Sequence, residues 1–186
     1  MRVSRVIVLT LLTLLLCGAA SATMVLPSSI EKMTLGSDLV VRGRIASQSV
    51  RAEGATIVTD VVVELAESLK PQANPATGSI TVKVLGGTVG DTTMKLDLAP
   101  AFADGEEVAL FLKRNGDRYL IYGLYYGACR IRTDGLTTTV TGPLYQTGQV
   151  YDFTTGRMTV NPVPFGGEPW QNFKARVLAV ISAGAE

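Results

Sequence analysis

Apolar and polar positions alternate with a period of two along most of the chain from residue 39 onward. In SDLVVRGRI, Leu39, Val41 and Ile45 share one face with Gly43, while Arg42 and Arg44 share the other. In TIVTDVVVEL, Ile57, Thr59, Val61, Val63 and Leu65 oppose Asp60 and Glu64. Ile80, Val82 and Val84 alternate with Thr81 and Lys83, and Met94, Leu96 and Leu98 alternate with Lys95 and Asp97. Val108, Leu110 and Leu112 follow the turn Ala103-Asp104-Gly105, and RYLIYGL and ACRIR complete the set. Such alternation predicts antiparallel strands, each burying one face.

Two segments carry a helical pattern instead. Ser28-Ser29 ahead of Ile30-Glu31-Lys32-Met33, with Gly36 closing, predicts one short helix with a serine cap. Near the end, Pro169 suits the first position of a helix on which Trp170, Phe173, Val177, Val180 and Ile181 fall on one face. Between residue 142 and this helix the chain reads as irregular, through Pro162, Pro164, Gly166 and Gly167. Five to seven strands joined by short turns predict a mainly β fold, a small closed antiparallel barrel flanked by these two helices. Gly43 inside the first strand suits a sharp bend of the kind a barrel needs.

The amino terminus changes the setting. Arg2 and Arg5 precede an apolar run from Val6 to Cys17, followed by Ala20-Ser21-Ala22. This is the pattern of a secretory signal peptide (residues 1–22), cleaved near Ala22, and the run is too short to be a membrane span. Cys17 raises lipidation as an alternative, but Leu16 before it is large where a small residue is usual. Residues 23–160 then form the barrel domain, and 161–186 a connection rich in proline and glycine with the closing helix. The expected location is secreted or periplasmic.

Charge and residue inventory then narrow the chemistry. The 17 basic and 16 acidic residues give a net charge of +1. Losing Arg2 and Arg5 makes it −1, so nothing pulls the protein toward nucleic acid. There is no histidine, which removes Ser-His-Asp and Cys-His catalysis and histidine zinc sites. Of two cysteines only Cys129 survives cleavage, and its parity with Ile131 places it in the core, with a reactive or intermolecularly paired thiol as the alternative. Glu106-Glu107 is the most tempting carboxylate pair, yet adjacent strand residues point to opposite faces. Asp91, Asp97 and Asp104 could assemble a calcium site at one barrel rim, but nothing resembling an EF-hand loop is present. No cofactor, metal or catalytic residue is expected.

The glycine-rich VLGGTVGDTTM (84–94) is not a phosphate loop. Asp91-Thr92 follow Gly90 where lysine is needed, and no helix comes next. It reads as a hairpin connection whose glycines supply positive φ. Tyrosines and arginines crowd the region 114–151, and Tyr125, Tyr126, Arg130 and Arg132 form the candidate partner-binding set, since these residue types dominate binding hot spots. The tyrosines packing beneath the closing helix is the competing expectation.

SDLVVRGRI, TDVVVELAESLKP, ITVKVLGGTVGDTTMKLDLAPAFADGEEVALFL and YLIYGLYYGACRIR together resemble a family of uncharacterised secreted bacterial proteins. More distantly they resemble the netrin-like domain of the tissue inhibitors of metalloproteinases, across residues 36–133. The resemblance implies an OB-like barrel and an unidentified protein partner, with a secreted protease as one candidate. In those inhibitors a cysteine at the mature amino terminus ligates the enzyme's zinc. None stands near Thr23, so that mechanism does not carry over. The functional expectation is a non-catalytic protein-interaction module. The alternatives are a structural envelope or assembly protein and, behind it, a carboxylate-based hydrolase.

Overall fold

A computed structural model describes residues 29–70, 78–96, 99–143, 149–152, 157–160 and 167–184. The proposed signal peptide, including Cys17 and Ala22, lies outside them, as do Asp97, Leu98 and Tyr145. Helix α1 spans Ile30–Gly36, and Ser29 caps it by accepting from the Lys32 N–H at 3.3 Å. Its far end is closed by Ser37, whose hydroxyl donates to the Met33 carbonyl at 2.6 Å. The Lys70 ammonium donates there to the carbonyls of Thr34, at 2.9 Å, and Ser37. A cation on the last carbonyls is where the helix dipole favours one.

The strands follow in order: β1 Leu39–Glu53, β2 Thr56–Ser68, β3 Ser79–Leu85, β4 Gly87–Val89, β5 Thr92–Met94, β6 Glu107–Asn115, β7 Arg118–Ile121, β8 Ala128–Asp134, β9 Thr137–Pro143, β10 Gln149–Asp152, β11 Arg157–Val160 and β12 Glu168–Pro169. Helix α2, Trp170–Ala183, ends the described chain, with Pro169 as its N-cap. The protein is mainly β with a short helix near each end of the described chain.

The main sheet runs β1-β2-β3-β7-β6-β8-β9-β12, and β6 also pairs with β1. All of its pairings are antiparallel except β3 with β7. At Arg42/Gly43 the β1–β2 register shifts and leaves Ala66 unpaired, a bulge that bends the strand. The glycine there is required by space. A Cβ on Gly43 would lie 2.5 Å from the Glu64 carbonyl oxygen and 2.7 Å from Val63 Cγ1.

Core packing occupies both sides of this sheet. On one side Leu39, Val41, Val63, Val82, Leu110 and Leu112 interlock. On the other, Val40, Ala109, Phe111, Cys129 and Ile131 meet Ile30 and Met33 of α1 and Trp170, Phe173 and Val177 of α2. Phe173 sits edge-on to Phe111 with ring centroids 6.0 Å apart, which answers what the apolar helix stripe packs against. Residues 108–112 of β6 are therefore fully buried on both faces.

Four sequence expectations need correction. The strand expected over 94–98 ends at Met94, and Lys95 and Leu96 have no regular structure. The stretch after 142, expected to be irregular, holds the hairpin β10–β11. Tyr125 and Tyr126 are taken up below. Asp60 stands opposite Val61 and Val63 as expected, and Arg51 and Arg118 fold over it, leaving it 7% exposed. The glycines of 84–94 do take positive φ, with +56° at Gly90, but the segment is not a connection between strands at 80–84 and 94–98: it forms a hairpin of its own, β4 and β5 joined by the two-residue turn Gly90-Asp91.

Candidate functional site

The aromatic and basic segment begins on β7 and turns through a 3₁₀ helix, Leu124–Gly127, into β8. Gly123 and Leu124 take φ of +73° and +58°. This pair of left-handed residues breaks the strand parity and swings the next two side chains inward. Tyr125 and Tyr126 become 3% and 1% exposed, with ring centroids 4.2 Å apart, inside the core that α2 covers. Tyr119 is buried in the opposite core, and Tyr122 packs partly buried beside Gly36.

The structure thus does not bring the four candidate residues onto one surface. Tyr125 and Tyr126 serve the core and cannot touch a partner. Arg130 is about one-third exposed and ion-paired with Glu106. Of the four, Arg132 alone is exposed, on the hairpin of β8 and β9, whose tip carries the completely exposed Leu136.

The carboxylates sort into ion pairs. Glu106 and Glu107 take opposite sides as expected. Glu106 meets Arg130 and accepts from the Ala103 N–H at 3.0 Å, whereas Glu107 meets Arg42 at 2.9 Å. Arg42 in turn lies over the Trp170 ring, 5.2 Å from its centroid, so this pair also orients α2. Glu67 extends that contact, accepting from Trp170 Nε1 at 3.3 Å and from Lys174. Asp60 Oδ2 accepts from Arg51 Nε at 2.9 Å, while its Oδ1 lies 3.2 Å from Arg118 Nε without the alignment of a hydrogen bond. Glu53 bridges Lys83 at 2.6 Å and Arg51 at 2.7 Å, and the Lys83 hydrogen bond, chiefly, holds its carboxyl below the usual range. Cys129 is fully buried and unpaired by any disulfide, and burial pushes its thiol far up. That environment makes an inert thiol, not a nucleophile. Among the described residues no cluster of three or more His, Cys, Asp or Glu could hold a metal.

One feature was missed at the sequence level. Two adjoining hollows of about 260 and 310 Å³ lie between the end of β3, residues 94–96 and 99–102, and β7, sharing Val84, Leu85, Leu96, Ala99 and Pro100 as walls. The signal was present as apolar residues at the wrong parity, Leu85 directly after Val84 and Leu120 between Tyr119 and Ile121. Both are exposed, at 44% and 38%.

No protein-family model and no curated protein matches the chain. No helix among the described residues is long and apolar enough to cross a membrane.

Proposed function

We propose that the protein is a non-catalytic interaction module, exported after loss of residues 1–22 and built on a small closed OB-like barrel. The strand pairings favour that architecture, since the series β1-β2-β3-β7-β6 returns to β1 and contains one parallel step, β3 with β7. The observation that carries the functional reading is how the charged groups are used. Glu53, Asp60, Glu67, Glu106 and Glu107 are each engaged by arginine or lysine that ties strands or α2 together. Carboxylates so committed are structural, and a hydrolase built on two converging acids finds no support in them.

Recognition then falls to the β8–β9 hairpin, which presents Arg132 and Leu136 away from the core. Arginine is a residue type favoured at binding hot spots, and Leu136 adds fully exposed apolar area at the tip of the same hairpin. A secreted protease is the partner class to test first. The assembly alternative gains no apolar surface from Trp170, Phe173 and Val177 of α2, because the rest of the chain covers them.

The test uses the tagged protein as bait in the secreted fraction of its own cells. Stoichiometric recovery of one protease supports restraint of that enzyme. Recovery of further copies of the bait alone favours assembly. The double variant Arg132→Ala, Leu136→Ala should lose the partner while keeping the wild-type melting temperature, and retained capture would move the site elsewhere.

A further inference from the structure

We infer that the hollow beside β3 is a binding site for a free single-chain anionic amphiphile, a medium-chain alkyl carboxylate. The larger compartment, about 310 Å³, has eight apolar residues and one charged one, Lys83, in its wall. Its volume sits at the small end of small-molecule sites. At about 30 Å³ per displaced water-sized group it holds roughly ten heavy atoms.

The site forms where β3 and β7 part. Their parallel pairing is only Val82 with Tyr119 and Lys83 with Leu120, and past it Val84 and Leu85 diverge from Ile121. Leu96, Ala99 and Pro100 close the side without filling the gap. Leu124, on the far rim, is 47% exposed and is the only non-glycine with positive φ among the described residues. Holding an exposed leucine in a left-handed conformation costs about 1–2 kcal/mol. Such strain is typically kept where it positions a side chain for a ligand.

The charge around the hollow selects the headgroup. Among the described residues, every ionisable side chain lining the two compartments is a lysine, Lys83 in one and Lys95 in the other. Lys83 holds Glu53 at 2.6 Å, and Arg51 beside it meets both Glu53 and Asp60. Lys95 is exposed, with no ion pair among the described residues. An apolar hollow with a lysine in each compartment's wall fits an alkyl tail ending in a carboxylate, and repels a cationic amphiphile.

Titration calorimetry of the full chain with decanoate tests this. Saturable one-to-one binding is expected, weakening roughly fourfold for each methylene removed, so that octanoate binds about fifteenfold more weakly. Decanol should bind at least several-fold less tightly than decanoate, and Lys83→Gln with Lys95→Gln should erase that difference. Leu120→Asp and Leu124→Asp alter exposed positions and should each lower decanoate affinity more than tenfold at an unchanged melting temperature. No saturable binding, no chain-length dependence, or equal affinity for acid and alcohol would overturn the assignment. Capture by phosphatidylglycerol vesicles that decanoate fails to compete away would also overturn it, by making a membrane the occupant.

Discussion

Replacing Gly43 with alanine adds one methyl group where β1 crosses β2 at the bulge. The new Cβ would sit 2.5 Å from the Glu64 carbonyl oxygen and 2.7 Å from Val63 Cγ1. The second of these can yield through a rotamer change, but the first is backbone held in the β2–β3 ladder, where Glu64 pairs with Ser79. Overpacking of this kind costs about 1–3 kcal/mol. Against it stands the smaller entropy of an unfolded chain with alanine in place of glycine, about 0.4–1 kcal/mol. The net expectation is a loss of about 1–2 kcal/mol, hence a melting temperature lower by roughly 2–8 °C for a chain of this size. Urea denaturation followed by far-ultraviolet circular dichroism reads the sheet, and fluorescence of the single tryptophan, Trp170, reads the helix layer. Both should report the same reduced midpoint. A variant as stable as the wild type would refute the close crossing at Gly43, and with it the bend that supports the barrel reading.

Other perturbations probe separate layers. Phe173→Ala removes a fully buried ring from between Phe111 and Trp170, and chemical denaturation should show a loss of about 3–5 kcal/mol. Hydrogen bonds from the Lys113 ammonium and then the Arg114 N–H hold Asp38 below its ordinary pKa near 3.8. A depressed carboxyl contributes stability above its unfolded pKa and loses it as pH falls through the folded value. Asp38→Asn should therefore flatten the loss of stability below about pH 4, measured by melting temperature against pH. In the chain freed of residues 1–22, and so of Cys17, Cys129 should resist a thiol reagent at pH 8 in the native state and react with one equivalent once the fold is opened by denaturant. Fast native labelling would contradict its complete burial.

Strand positions were the most legible part of the fold, because period-two alternation is a local property of β1, β2, β3 and β6. The Ser29 cap was legible for the same reason. What failed depended on partners distant in the chain. Asp60 is covered by Arg51 and Arg118, and no local pattern says that two arginines will close over one carboxylate. Burial of Tyr125 and Tyr126 beneath the closing helix was the competing expectation, and the sequence could not choose it over an exposed patch because the choice turns on the left-handed conformation of Leu124. Arg130 and Arg132 do fall opposite Cys129 and Ile131, yet parity could not say that Glu106 would claim the first. The hollow beside β3 is a property of where strands part, and the sequence carries only its residue, a few leucines out of step.

The double burial of β6 has an experimental consequence. Val108, Leu110 and Leu112 report on one core, while Ala109 and Phe111 report on the other. Neighbouring residues on one strand therefore monitor two bodies of packing that share a backbone. Amide hydrogens of this strand should exchange last, since releasing them requires both layers to open. Side-chain truncations taken in steps of one through 108–112 would alternate in which layer they loosen. A single five-residue scan could thus measure how far the helices and the sheet interior unfold as one unit.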